Sequence, residues 1–368
     1  MAKHTTKQQD FLSSTDVSSC STVAVDLAKR VFQIAAEDAT GRVVHEQRIK
    51  SREAFQAFLR ALPAHISVLM ETGPSAQLWA RQLQEQGNAV RILPARHVED
   101  HRSGPKNDRN DVLAILRAGR DQRIHAVPVK SAAALAMQSL HRIRQGCIRR
   151  RTALGNQMRG LLLEHGVALA QGDAAISQVV PRVLEDATLP LPALLRELID
   201  ESLAEWRFQG ERIGVLSKRL ETAAQQDDTA RRLMTIRGVG PIIATALLAK
   251  QTEPERFANA RLFAAYFGLV PEQHSSGNKV RLGRMSKRGD AYVRSLAIQG
   301  AHAVLLHVKP DSEHPDDRRL QRWISRLGRK EAAVRLANRN LRIIWVLLQN
   351  EQTYQRQPSA SQEAMMGS

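Results

Sequence analysis

At 368 residues, with 43% hydrophobic and 25% charged side chains, the chain is long enough for more than one core and too apolar to be disordered throughout. Its 54 Lys+Arg against 37 Asp+Glu leave a formal net charge of +17, an excess made mostly of arginine that favours a polyanionic partner, nucleic acid before an anionic membrane surface. No apolar run approaches the roughly 20 residues of a membrane span, no signal-peptide core opens the chain, and the cysteines Cys20 and Cys147 support neither a disulfide framework nor a zinc site, so a soluble cytosolic protein is expected.

Residues 1–20, rich in Ser, Thr and Gln, and residues 353–368 lack periodicity and read as disordered tails. The first domain, residues 21–130, opens on TVAVDLA and VFQIAAED, two strands joined by a tight turn. It passes through Ala39, Thr40 and Gly41 into a third strand, RVVHEQRI. Ser51 then caps an amphipathic helix, HISVLMET is a short apolar strand, SAQLWARQLQEQ a helix stopped by Gly87, and AVRILP a further strand. Three antiparallel strands followed by alternating helix and strand is the order of a ribonuclease H-like α/β domain. Residues 131–230 lose strand signals and carry long helical periodicity, an arm that reads equally as a helical hairpin or as an oligomerisation coiled coil. Residues 231–352 form a mostly helical last domain, ending in a stretch whose Trp323 and Trp345 are expected in its core.

Carboxylates fall where these strands should be apolar. Asp26 sits inside VAVDLA and Glu71 at the end of ISVLME, just before Gly73 and Pro74, and a buried carboxylate without a partner costs several kcal/mol or takes up a proton. Asp108 and Asp111, in KNDRND, open an apolar helix, and their spacing of three places both on one face. Each alone has an ordinary reading as a turn residue, a cap partner or a charge favoured at a helix N-terminus. Four together repel, and the cheapest neutralisation is a hard divalent cation with oxygen ligands, Mg²⁺ or Mn²⁺, suited to phosphoryl transfer.

In the second half, TIRGVGPIIATALLA reads as the turn of a helix-hairpin-helix, where Gly238 and Gly240 let backbone N–H groups approach a phosphate. An apolar helix then ends at Gly268, and a polar loop carries His274, Ser275, Ser276 and Gly277, followed by Lys279, Arg281, Arg284, Lys287 and Arg288. Cations around a serine would hold a phosphate and favour attack on phosphorus, but spacing alone is met as well by an exposed loop beside a phosphate-binding patch.

Taken in order, AVDLAK, METGP, KNDRND, IRGVGP, FGLVPEQHSSG and GRMSKRGDAYVR resemble the DEDD-type insertion-sequence transposases, over roughly residues 22–350. The resemblance implies a RuvC-like nuclease domain with metal ligands at Asp26, Glu71, Asp108 and Asp111, and a C-terminal transposase domain whose nucleophile is Ser276, with Ser275 its neighbour. It further implies donor and target DNA as partners and a bridging noncoding RNA as guide. A phosphoserine intermediate and a tetramer whose subunits share each site complete the expectation, with the enzyme on the nucleoid when acting. Two rival readings remain: a ribonuclease H-like, junction-resolvase-type nuclease that activates water and never links to DNA, and an inert nucleic-acid-binding protein.

Overall fold

The computed structural model describes residues 20–251, 253–273 and 281–355, with the backbone alone described at Leu282. Two compact units divide the chain, Met1–Ser131 and Ala132–Ser368.

The first unit is built on a five-stranded mixed sheet. Strands β1 (Cys20–Leu27), β2 (Phe32–Asp38) and β3 (Val43–Ile49) form an antiparallel meander. Helix α1 (Arg52–Arg60) leads to β4 (Ser67–Glu71), and α2 (Ala76–Glu85) to β5 (Val90–Leu93). β4 pairs parallel with β1, and β5 parallel with β4, giving the order β3-β2-β1-β4-β5. Ser51 caps α1, its hydroxyl accepting from Ala54 N at 3.1 Å.

Period-two alternation divides the buried strand residues between the two faces. Val23, Val25, Val68 and Met70 meet α1 and α2 in a core that includes Phe32, Phe55 and Trp79. Ala24, Ala35, Leu69 and Leu93 point the other way, onto Val112, Ile115 and Leu116. Those three belong to α4 (Asp108–Arg120), which follows the short α3 (Ala95–Asp100). At Gly119 a side chain would lie 2.2 Å from Leu69 Cδ1, so glycine is what lets α4 press onto β4.

The second unit is mostly helical. Helix α5 (Ala132–Glu164) is followed by a π-helical turn (Ala175–Val179) running into α6 (Val180–Glu185), and then by α7 (Ala193–Gln226). Helices α5 and α7 lie antiparallel. Arg144 Nε donates to Ser217 Oγ at 2.8 Å, the Arg151 guanidinium stacks 3.8 Å over Trp206, and Met158 and Leu162 share a small core with Ile199 and Leu203.

The remainder of this unit comprises α8 (Asp228–Met234), α9 (Pro241–Leu248), α10 (Ala260–Tyr266), the strand pair β6 (Pro271–Gln273) and β7 (Leu282–Met285), α11 (Ala291–Leu306) and α12 (Pro315–Asn350). α12 is broken at Gly328, where φ is 76° and ψ 162°. Phe263, Phe267, Val293, Ala301, Leu336 and Leu341 lie in its common core. Trp345 packs against that core and donates to Pro254 O at 2.9 Å, and Trp323 is also packed on it. Among the described residues no helix is long and apolar enough to cross a membrane.

Candidate active site

Strand register brings two of the acidic residues side by side. Val25 pairs with Met70 across the parallel β1–β4 ladder, so one step further Asp26 stands beside Glu71 at the C-terminal edge of the sheet. Alternation puts Asp26 on the face of Ala24, and Glu71 on the face of Leu69, which is the face α4 covers. α4 begins there. Asn107 caps it, accepting from Asn110 N at 2.8 Å, and Asp108 and Asp111 lie in its first turn, where the helix dipole favours acids.

The electrostatics record this convergence. Burial, then the charges of Asp111 and Asp108, push the Asp26 carboxyl up to about 6, against the opposing pull of the Leu27 backbone N–H and Lys106. Glu71 is likewise raised, by burial first and then by Asp26 and Asp111, with Lys106 opposing. Cations partly answer the crowding: Arg48 of β3 contacts Asp108 at 3.1 Å, and Arg102 contacts Asp111 at 3.3 Å. Arg109 and Glu46 add a two-pronged pair at 2.6 and 2.8 Å that ties the start of α4 to β3.

Among the described residues no three His, Cys, Asp or Glu side chains converge closely enough to hold a metal ion as placed. The physical reason is visible in Asp108 and Asp111, each turned toward an arginine. The donor set itself fits a hard divalent cation: four carboxylates, all oxygen, two of them held above their ordinary range by burial first and then by their neighbours' charges, which such a cation would offset. Arg48, Arg102 and Lys106 escape a reading of the sequence, because they sit on an edge strand and in an irregular loop, where no periodicity marks a residue as a neighbour of the acids.

In the second unit, His274, Ser275, Ser276, Gly277 and Lys279 lie outside the described residues. The strands on either side are described: β6 and β7 pair antiparallel, with Pro271 opposite Met285 and Gln273 opposite Leu282. Arg281 just before β7, Arg284 within it and Lys287 and Arg288 after it are exposed. Two glycines hold this basic segment against the end of α10. A side chain at Gly268 (φ +72°) would lie 2.0 Å from Arg288 O, and one at Gly289 (φ +91°) would lie 1.9 Å from Tyr266 O. The buried Arg294 guanidinium donates to Phe267 O at 3.0 Å and Arg288 O at 3.4 Å, stitching the same two segments together.

At the turn between α8 and α9, Gly238 (φ +89°) faces α11, where a side chain would lie 2.8 Å from Val304 Cγ2 and 3.0 Å from Gly300 O. The space around Gly240 is open, with nothing within 4 Å of a would-be Cβ. These residues line one side of a groove of about 810 Å³ that Arg144 of α5 and Gln299 of α11 also line. Nearby, His141 bridges Thr245 Oγ1 at 3.1 Å and Tyr292 OH at 3.0 Å, and burial, with Arg144 and Lys250, lowers its pKa to about 4.

Comparison with known proteins gives consistent matches. A transposase family profile of the DEDD type matches residues 23–166, and a second profile, described as transposase IS116/IS110/IS902 family, matches residues 230–315. The sequence is 40% identical over 335 residues to a probable family 20 transposase of Pseudomonas aeruginosa, covering 91% of this chain and 98% of the relative. It is 34% identical to the transposase for insertion sequence element IS1111A of Coxiella burnetii, covering 90% of each chain. With the transposase for IS1328 of Yersinia enterocolitica the identity is 33%, covering 88% of this chain and 96% of the relative.

Proposed function

Because the chain belongs to the IS116/IS110/IS902 family of insertion-sequence transposases, enzymes that act on DNA, we propose that it exchanges DNA strands through a two-part site. Acidic residues of the first unit would hold a divalent ion whose positive charge favours reaction at the phosphate, and Ser276 of the second unit is the nucleophile. The observation that carries the acidic half is the convergence of Asp26, Glu71, Asp108 and Asp111 on one edge of the sheet, where burial and mutual charge hold two of them above their ordinary range.

Asp26, Glu71, Asp108 and Asp111 would hold the ion, Mg²⁺ or Mn²⁺. When bound, it supplies positive charge to the scissile phosphate and its leaving oxygen. Ser276 attacks phosphorus: an Oγ–P bond forms as the P–O bond to the leaving strand breaks, and the serine proton passes to the departing oxygen. A hydroxyl of the incoming strand then attacks the phosphoserine, the new phosphodiester forms, and Ser276 recovers its proton, so no water is consumed. Lys279, Arg281, Arg284, Lys287 and Arg288 flank the serine in sequence and offer charge to the phosphate as negative charge builds. Gly238 and Gly240, in a helix-hairpin-helix role, would set backbone N–H groups at the N-terminus of α9 toward a DNA phosphate. The open space at Gly240 supports that contact.

The family resemblance supports a bridging noncoding RNA that supplies sequence choice by base pairing. It also supports a dimer that assembles into a tetramer, with carboxylates and serine contributed to one site by different subunits.

The test is strand exchange between a labelled donor-junction duplex and target DNA, with RNA transcribed from the element's noncoding flank. Joined product is expected with Mg²⁺ or Mn²⁺. Chelation should reduce it at least about a hundredfold, and re-addition of the ion should restore it. Undiminished product in chelator would remove the ion from the account, and water-dependent cleavage without joining would favour a resolvase-type nuclease.

A further inference from the structure

Helix α12 turns three arginines to one side. Arg335, Arg339 and Arg342 follow one another at spacings of four and three in its second half, beyond the break at Gly328, and so share a face. They line an open cavity of about 1200 Å³ within the second unit. Trp323, Ile343 and Val346 line it too, and residues 351–355, which follow the helix, form another wall. That wall is anchored: Tyr354 N donates to Thr235 Oγ1 at 2.9 Å, and Arg232 Nη1 to Glu351 O at 3.4 Å.

Two of the three guanidiniums are held in place. Arg335 lies 5.1 Å over the Trp323 ring, and Arg339 donates to the buried Asp316 carboxylate at 3.2 Å and to Tyr354 OH at 3.3 Å. Arg342 is exposed and takes part in no ion pair among the described residues. Glu351 is the one carboxylate among the described lining residues, so the cavity is positive. Fixed cations beside an aromatic ring and the apolar Ile343 and Val346 fit a ligand that is anionic at one end and flat at the other, the make-up of a nucleotide. Inorganic phosphate would use the arginines and leave the apolar lining wet. Duplex DNA offers phosphates, but its bases are stacked within the helix, whereas an unpaired base is free to enter.

We infer that this cavity binds an unpaired nucleotide of the DNA substrate, its phosphate on Arg335 and Arg342 and its base against Trp323, Ile343 and Val346. DNA is the substrate on which the family acts. The cavity shares no lining residue with the groove at Gly238 and Gly240. Binding there needs neither the metal ion nor Ser276, so its failure would leave the strand-exchange reading standing.

Fluorescence anisotropy of the full-length protein with a short labelled oligothymidylate and with a labelled duplex tests this. Arg342→Gln and Val346→Glu should each weaken single-strand binding about fivefold or more and change duplex binding by less than about twofold. Arg326→Gln, which removes an exposed arginine of the same helix outside the cavity, should change neither by more than about twofold. Trp323→Leu should cost single-strand binding about tenfold, with Trp323→Phe retaining most of it. Trp323 packs on the core, so melting is compared, and the exposed Arg342 and Val346 keep the test decisive should Trp323→Leu fail to fold. With 5-iodouracil in the oligonucleotide, irradiation should attach wild type through Trp323 or Tyr354, and Val346→Glu should lose that product. Equal losses on single strand and duplex, Arg326→Gln as damaging as Arg342→Gln, or crosslinks confined to other peptides would overturn the inference. Losses confined to an oligoribonucleotide of matching length would place RNA in the cavity and overturn it as well.

Discussion

Asp26→Asn is expected to lower strand exchange by about a thousandfold or more while making the metal-free protein more stable at neutral pH. The loss is what the proposed metal site predicts, since it would be short of one oxygen ligand at the crowded edge of the sheet, where charge on a scissile phosphate would be stabilised. The gain follows from the same carboxyl. Its pKa rises from 3.8 to about 6, chiefly through burial and then through Asp111 and Asp108. Below pH 3.8 it is protonated in folded and unfolded chains alike and its charge carries no penalty. As pH climbs from about 4 through 6, the unfolded chain releases the proton more readily and the fold loses stability, fully so above 6. For a wholly buried group the rise would correspond to about 3 kcal/mol, and solvent screening of this partly open carboxyl reduces the expected gain to about 1 kcal/mol. Thermal melting in chelator should therefore show Asp26→Asn above wild type at pH 7.5, with the gap closing toward pH 4. A gap widest at pH 4 would show that this carboxyl is not raised in the fold.

Gly289→Ala should destabilise the second unit by about 3 kcal/mol or more. The backbone there has φ +91°, which an L side chain rarely adopts, and the new Cβ would fall 1.9 Å from the Tyr266 carbonyl oxygen. Backbone cannot step aside as a flexible side chain can, so the segment from Ser286 to Asp290 would be pushed off the end of α10. That breaks the hydrogen bond from Ser286 N to Val270 O at 2.9 Å and the Arg294 bridge. Arg284, Lys287 and Arg288 would lose their placement and DNA affinity should fall as well. Gly160→Ala is the matched control, since nothing lies within 4 Å of its would-be Cβ in the last turns of α5, and it should gain about 0.5–1 kcal/mol. Chemical denaturation of the two variants separates them, and equal midpoints would contradict the close approach.

The gathering of acids at the edge of the sheet could be read from the sequence to the extent that a carboxylate in an apolar strand is a local contradiction. Asp26 and Glu71 announced themselves in this way, and the spacing of Asp108 and Asp111 at a helix start did the rest. The meander, the strands β4 and β5, and the long helical stretches were legible because period-two and helical patterns run over whole elements. The six-residue α3, the three-residue β6 and the break at Gly328 were not, since such short features are fixed by packing rather than by local pattern. The turn at Gly238 shows a further limit. Its glycine was legible as a turn residue, but its close packing on Gly300 of α11 depends on a helix some sixty positions later, beyond any local signal. Arg48 and Arg102 share that limit.

If metal-binding acids and a serine act on one phosphate, the protein can be trapped on DNA through that serine. Purified protein, Mg²⁺, the flank-encoded RNA and end-labelled donor DNA would be mixed and denatured, and label migrating with protein would be scored for wild type, Ser275→Ala, Ser276→Ala and Asp26→Ala. A covalent species is expected that persists in Ser275→Ala and disappears in both Ser276→Ala and Asp26→Ala. Cleaved DNA with no label on the protein, unchanged in Ser276→Ala, would contradict it and leave a metal-dependent nuclease.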